Sequence, residues 1–345
     1  MTIPGNAPAE AGHVFVLGEC LVDLAPLASA QRQQPDVGPR EQPLQHLAAM
    51  PGGSPANVAI GLARLGVPTL FGARFSRLGF GPWLRQNLVA NGVDLALSVE
   101  ADEPPTLAVV TLDGDGRASY TFYGPGTADW QWQPHELVGP SSLEGVLAVH
   151  TGSLALAFPP GADVLASWLR SLREHGNVLI CIDPNVRLGL LGDLGDYRER
   201  LDRMLLDAHI VKMSMEDLGA LAPGETPAQA ATRLLSAGVE LVVITDGPNG
   251  ATAFYGNGAQ VRAPAPAVDV VDTIGAGDTF SAGLLAWLFD HDLLRPGALA
   301  TIGPDELLSA LAQAVMASAS ACTRAGADPP DRQELAAFAR GVGDA

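Results

Sequence analysis

The chain has 345 residues, 47% of them hydrophobic, and a formal net charge of -18 at pH 7, enough apolar material for one large α/β domain or two smaller ones. The charge excludes a general affinity for nucleic-acid backbones, which rests on clustered Lys and Arg, and disfavours docking to anionic membranes. No apolar run approaches the length that spans a bilayer. The opening MTIPGNAPAEAGH has neither a basic n-region nor an apolar h-region, so it is not a signal peptide and the expectation is a cytoplasmic protein. Cys20, Cys181 and Cys322 are scattered with no CxxC pair and read as reduced thiols in the core or a site wall.

Residues 1–12 are rich in Pro, Ala and Gly and are expected to fray. HVFVLG (13–18) is the first run of strand length. Ser54-Pro55 then opens a helix ending at Gly66, with Ser54 placed to cap it and Val58, Leu62 and Leu65 forming its apolar stripe. Strand-like PTLFGARF follows. From residue 146 the pattern becomes regular: strand 146–152, helix 164–176, strand 177–183, strand 209–214, helix 227–238, strand 240–247. Strands alternating with helices predict βαβ units and a mostly parallel sheet with helices on both faces. Two stretches, about 19–51 and 100–130, carry strand-like pieces without comparable helices. They predict a small separate sheet suited to covering a ligand. Nothing divides the chain, so the expectation is a single domain over 13–340 with a lid.

The segment VDTIGAGDTF (271–280) carries the most chemistry. Phe280, Leu284, Trp287 and Leu288 recur at helical spacing, so a buried helix starts near Asp278. Gly275, Ala276 and Gly277 then lie at a helix N-terminus, where unpaired N–H groups and the dipole attract anions. A carboxylate beside an anion pocket is electrostatically awkward. One resolution is that Asp278 is a base taking a proton from a hydroxyl as that hydroxyl attacks phosphorus; the other is that it merely complements the helix dipole. A second glycine cluster, Gly52-Gly53, precedes the Ser54 helix, and Asn57 in its first turn offers both donor and acceptor to a polyol. From these residues alone an ordinary loop-to-helix turn, with Asn57 on an exposed first turn, is the favoured reading. There is no Walker A loop, no complete GxGxxG, no HExxH or His/Cys cluster, and no GxSxG elbow.

Taken as a pair, GGSPANVAIGLARLG and VDTIGAGDTFSAG resemble the two signatures of the ribokinase-like (PfkB) carbohydrate kinases, in the right order and separation. The resemblance runs from about Val14 to about Gly326 and points to the fructokinase-like and 2-keto-3-deoxygluconate kinase-like branch. It implies a ribokinase-like α/β fold with a mostly parallel sheet and a β-sheet lid. It also implies ATP-dependent phosphorylation of a sugar hydroxyl, fructose or a related keto-sugar by analogy, with a nucleoside kinase or a catalytically impaired sugar-binding protein as rival readings. Asp278 is then the base and Gly275, Ala276 and Gly277 the anion hole. Asp23, Gly52, Gly53, Asn57 and Arg187 match sugar-binding positions. Asn185, in the DPNVR run of 183–187, and Thr245, Gly247 and Gly250 match the nucleotide side, and Cys322–Gly326 the region passing adenine. Mg²⁺ is implied, and a monovalent cation near Asp272 and Thr273. The exposed edges of a lid sheet could also pair two copies as a homodimer.

Three departures stand against the family pattern. Ser76–Gly81 (SRLGFG) lacks both acidic residues of the usual GDDxFG. Gly124 follows Phe-Tyr where an Arg is usual, leaving Tyr123 or Trp130 either to reach substrate or to pack the lid. Ser214 and Asp217 stand where NxxE is usual, with Asp217 reaching a metal through water. Lys212, the only lysine, either contacts phosphate or is solvated at its strand end.

Overall fold

The computed structural model describes residues 12–26, 46–112, 118–187 and 194–343. The N-terminal segment expected to fray lies outside these residues up to position 11, as does 27–45 of the first lid stretch. In chain order the strands are β1 His13–Leu17, β2 Leu21–Pro26, β3 Leu47–Gly52, β4 Thr69–Gly72, β5 Arg74–Ser76, β6 Val99–Ala101, β7 Leu107–Leu112, β8 Ala118–Tyr123, β9 Val146–Gly152, β10 Leu179–Asp183, β11 Ile210–Ser214, β12 Leu241–Thr245, β13 Ala251–Tyr255 and β14 Ala259–Ala263. The helices are α1 Ser54–Arg64, α2 Gly81–Ala90, α3 Gly161–His175, α4 Leu194–Leu206, α5 Met215–Leu221, α6 Pro227–Ser236, α7 Ala276–Asp290, α8 Pro304–Cys322 and α9 Arg332–Gly343.

Eight strands form the central sheet in the order β14-β13-β12-β11-β10-β9-β1-β4. All neighbours from β4 to β12 are parallel, and β13 and β14 add an antiparallel edge. Alternate strand residues feed opposite faces, as the two-residue period requires. Val14, Val16, Leu179 and Cys181 join Val58 and Leu62 of α1, Leu284 of α7 and Leu311 of α8. Phe15, Leu17, Ile180 and Ile182 join Leu165 and Leu169 of α3, Leu201 of α4 and Leu234 of α6. The expected two-faced α/β architecture is what the chain adopts. Cys20 and Cys181 are buried and unbonded, and Cys322 is partly buried.

Both irregular stretches feed a separate four-stranded sheet, β3-β2-β7-β8, with β2 and β7 parallel and the outer pairs antiparallel. Trp130 and Leu154 fill its base with Leu21 and Ala108. A shorter pair, β5 and β6, takes up the unusual 76–81 loop. Arg77 there is exposed and paired with Glu100 at 3.0 Å and Asp102 at 2.7 Å. Gly124 also has a structural reason, because a Cβ at that position would overlap the indole ring of Trp130. Trp130 itself is buried and lies 4.5 Å from the Phe158 ring, so it packs the sheet. Tyr123 is exposed.

Candidate active site

The C-terminal ends of the parallel strands align: Gly152 pairs with Asp183, the ends of β10 and β11 adjoin, and Ser214 pairs with Thr245. Ligands of open α/β sheets bind at this edge. Helix α7 starts there, two residues earlier than the periodicity suggests. Gly275 caps it with φ 73°, and a Cβ at that residue would meet Ala327 at 2.8 Å. The amide of Ala276 donates to the Thr273 carbonyl at 3.2 Å. First-turn N–H groups have no intrahelical acceptor, and those of Gly277 and Asp278 have no backbone acceptor among the described residues.

Asp278 sits in that first turn with only 6% of its surface exposed. Its Oδ1 accepts from Ser54 Oγ at 2.6 Å and its Oδ2 from Asn57 Nδ2 at 2.8 Å. Burial raises its pKa above the usual carboxylate value; the Ser54 and Asn57 bonds draw it back, Asp183 pushes it up and Lys212 pulls it down. Ser54 corrects the sequence expectation. It opens α1 as a helical residue, the cap position belongs to Gly53, and no side chain caps the helix. At φ 106°, with a built Cβ only 2.6 Å from the Glu19 carbonyl, position 53 favours glycine. The hydroxyl of Ser54 is thereby freed for Asp278.

Asp23 leaves β2 opposite β3, where a Cβ on Gly52 would overlap its carboxylate. Burial pushes the Asp23 pKa up to about 6, with Arg187 lowering it and Asp278 raising it. Asp23, Asn57 and Arg187, the residues expected on the sugar side, thus share one neighbourhood with Asp278. Of the residues expected on the nucleotide side, Asn185 has φ 38° after Pro184, Thr245 ends β12, and Gly247 and Gly250 lie in the turn before β13.

Asp217, expected to reach a metal through water, is held by backbone groups and by Ser214. One oxygen accepts from Val186 N at 2.7 Å, the other from Ser214 N and Oγ at 2.8 and 2.7 Å, and Ser214 Oγ accepts from Asp217 N. This is a capping box on α5. Among the described residues, no group of three His, Cys, Asp or Glu side chains is placed to hold a metal ion, and no helix is long and apolar enough to cross a membrane. Asp272 likewise accepts from Ile274 N and Gly326 N, joining the loop before α7 to the one after α8.

Three further buried ionisable groups, Glu19, Asp129 and Lys212, carry no signal in a short motif. Glu19 accepts from Ala155 N at 3.1 Å, and burial pushes its pKa up to about 7. Asp129 accepts from Cys20 N and Thr106 Oγ1, tying β7 of the small sheet to the β1–β2 connection. Lys212 is not solvated at its strand end: it is 4% exposed and bonded to buried Asp183 at 2.8 Å. The Glu19 shift has a testable sign. A carboxyl whose folded pKa is raised favours the folded state at low pH and loses that advantage as pH rises to about 7. The melting temperature of Glu19→Gln is therefore expected to gain on the wild type from pH 5 to pH 8. A constant difference across that range would refute the assignment.

The family model of the pfkB family carbohydrate kinases matches residues 11–333. The chain belongs to the PfkB family. Fructokinase from Klebsiella pneumoniae is 34% identical over 318 residues, covering 92% of this chain and 95% of that protein. The crystal structure of fructokinase with bound ATP from Xylella fastidiosa superposes with a TM-score of 0.84 at 26% identity, over 96% of this chain and 99% of that one. A fructokinase double mutant from Vibrio cholerae O395, solved with fructose, ADP and potassium, gives a TM-score of 0.79 at 27% identity, over 95% and 98%. The protein is accordingly an enzyme, a sugar phosphotransferase of the PfkB type with the ribokinase-like fold.

Proposed function

We propose that the protein transfers the γ-phosphoryl group of MgATP to a hydroxyl of fructose or a closely related keto-sugar, with Asp278 as the base. The observation that carries this reading is the buried Asp278 carboxylate at the N-terminus of α7, held by Ser54 and Asn57. Each of its oxygens has given up one acceptor site and keeps another for a substrate hydroxyl. A carboxylate made more basic by burial is a better acceptor of the departing proton, provided it is ionised at the working pH. The Gly277 and Asp278 amides, reinforced by the helix dipole, meet the charge that builds on the transferred group. The donor set fits an anion at that place because Gly277 is exposed and carries no side chain.

Mg²⁺ brought with the nucleotide would neutralise phosphate charge in this reading, with Asp217 as the residue that would hold it through water. The buried Asp183 Oδ1 has no hydrogen-bond partner among the described residues. A monovalent cation beside Asp272 and Thr273 would steady the loop before α7; the potassium in the Vibrio cholerae structure supports looking for one. The four-stranded sheet that carries Asp23 on β2 serves as the lid that keeps water from the acceptor. Nucleotide contacts fall to Asn185, Thr245, Gly247 and Gly250.

An ADP-release assay over sugars and nucleosides with MgATP tests the substrate class, with fructose expected to give the highest kcat/KM. A nucleoside preferred over every sugar would overturn it. The sugar side is tested by Asp23→Ala. Losing an acceptor for desolvated hydroxyls costs roughly 1–3 kcal/mol, so the sugar KM is expected to rise about 5- to 150-fold while the ATP KM holds. A changed ATP KM with an unchanged sugar KM would mean the two sides are reversed.

A further inference from the structure

Nineteen of the chain's twenty basic residues are arginine, and the single lysine lies at the most enclosed place a cation occupies here. Lys212 projects from β11 beneath the first turn of α7. Its Nζ is 2.8 Å from Asp183 Oδ2 and 3.4 Å from the Gly277 carbonyl oxygen, with the Phe280 ring centroid 6.0 Å away. A Cβ built on Gly277 would stand 3.1 Å from Nζ. That space takes a compact ammonium and not the planar fork of a guanidinium. The same Asp183 oxygen also accepts from Ser281 Oγ at 3.2 Å. The pair therefore grips α7 at Gly277 and at Ser281, one residue before Asp278 and three residues after it.

We propose that Lys212 is a positioning residue for phosphoryl transfer: clamped with Asp183 onto Gly277 and Ser281, its ammonium fixes the helix turn that presents Asp278 and compensates the carboxylates gathered there. The inference rests on the reading of Asp278 as the base. Three carboxylates bear on the Lys212 charge, Asp183 from β10, Asp217 from α5 and Asp278 from α7. Burial disfavours the ammonium, and Asp183, with Asp217 and Asp278 behind it, outweighs burial so that it stays charged. His150 on β9 and Cys181 on β10 also face it; burial keeps the first neutral, with a pKa of about 3, and the second protonated. Asp23 reaches the cluster through Asp278, with Arg187 beside it. An incoming polyphosphate adds more negative charge to a site where, among the described residues, Lys212 is the one buried cation. Without that cation, Asp278 would hold its proton more tightly and its helix turn would lose one of two tethers.

The decisive variant is Lys212→Met, compared with wild type in kcat, sugar KM, and the pH dependence of kcat. The expected result is a kcat lowered between about 10- and 100-fold, the size of a misplaced base. The sugar KM should hold within about twofold, and the acid limb of kcat should move to higher pH. An acid limb that stays put would overturn the proposal, because a purely structural lysine would not move it. Should Lys212→Met fail to fold, the single lysine permits another measurement on the full chain. Labelling with ζ-¹⁵N lysine gives one side-chain resonance with nothing to assign. It is expected to shift in Asp278→Asn and on adding ADP with inorganic phosphate. A resonance indifferent to both would equally overturn the proposal. The two readings fail separately: full turnover in Asp278→Asn removes the base itself. An inactive Asp278→Asn beside a Lys212→Met of normal kcat and normal acid limb removes only Lys212.

Discussion

Asp278→Asn is expected to lower kcat by about 100-fold to 10,000-fold, the range for losing a positioned general base, while the protein folds and binds ATP normally. The substitution suits the local geometry. The new amide oxygen accepts from Asn57 in place of one carboxylate oxygen, and Ser54 can turn its hydroxyl to accept from the new amide nitrogen. Stability should not fall and is expected to rise at neutral pH. A carboxyl whose folded pKa is raised above its unfolded value adds stability below the unfolded pKa and forfeits it as pH climbs through the folded one. At neutral pH the wild type therefore keeps a costly buried charge that Asn lacks. Activity runs the opposite way, since the base works only when ionised, so the wild-type rate should drop as pH falls through the raised Asp278 pKa. Thermal melts and an ADP-release assay on both proteins check the whole pattern. An Asp278→Asn enzyme with near-normal kcat on its best substrate would remove the residue from the base role.

How far the sequence reveals this site depends on how local each cause is. Strands β9 to β12 are apolar runs bounded by polar ends, and a sheet buried on both faces needs little else, so their places are legible from composition alone. The anion pocket is legible because glycine and alanine before a helical stripe have a local meaning. Ser54 shows the opposite case. A hydroxyl preceding Pro at a helix start reads as a cap, yet its partner Asp278 lies 224 residues further on, and only the packing of α1 against α7 unites them. Lys212 is hidden in the same way. It lies on the strand face that meets α7 because of sheet register, which no window around VKMS contains. Gly124 and Arg77 look like losses when set against a family pattern. The first makes room for the Trp130 ring and the second is paired on the surface with Glu100 and Asp102, so both changes have partners in the fold. Asp217 gains partners that the altered NxxE does not reveal, because it caps its own helix and also holds Val186 N from a distant loop.

Gly277→Val tests the anion pocket independently of the base. Position 277 is exposed, in the first turn of α7, so a larger side chain meets no packed core and the fold should survive. Two local effects remain. The new Cβ would stand 3.1 Å from Lys212 Nζ, tighter than carbon and nitrogen usually approach, and the branched methyl groups would stand over the amides that are to receive phosphate. The pocket works only if those N–H groups reach the transferring oxygens, and one lost donor of this kind costs about 100- to 1,000-fold in rate. Turnover is therefore expected to fall by that order, with the sugar KM little changed because Asp23 and Asn57 are untouched. Gly277→Ala, whose single methyl adds the Cβ without the branches, should lose less. That ordering separates obstruction of the pocket from displacement of Lys212, since both variants place the same Cβ beside Nζ and only valine covers the amides. If folded Gly277→Val turns over at the wild-type rate, the phosphate does not sit at the N-terminus of α7. If alanine and valine lose rate equally, the contact with Lys212 accounts for the loss and the pocket must be sought elsewhere.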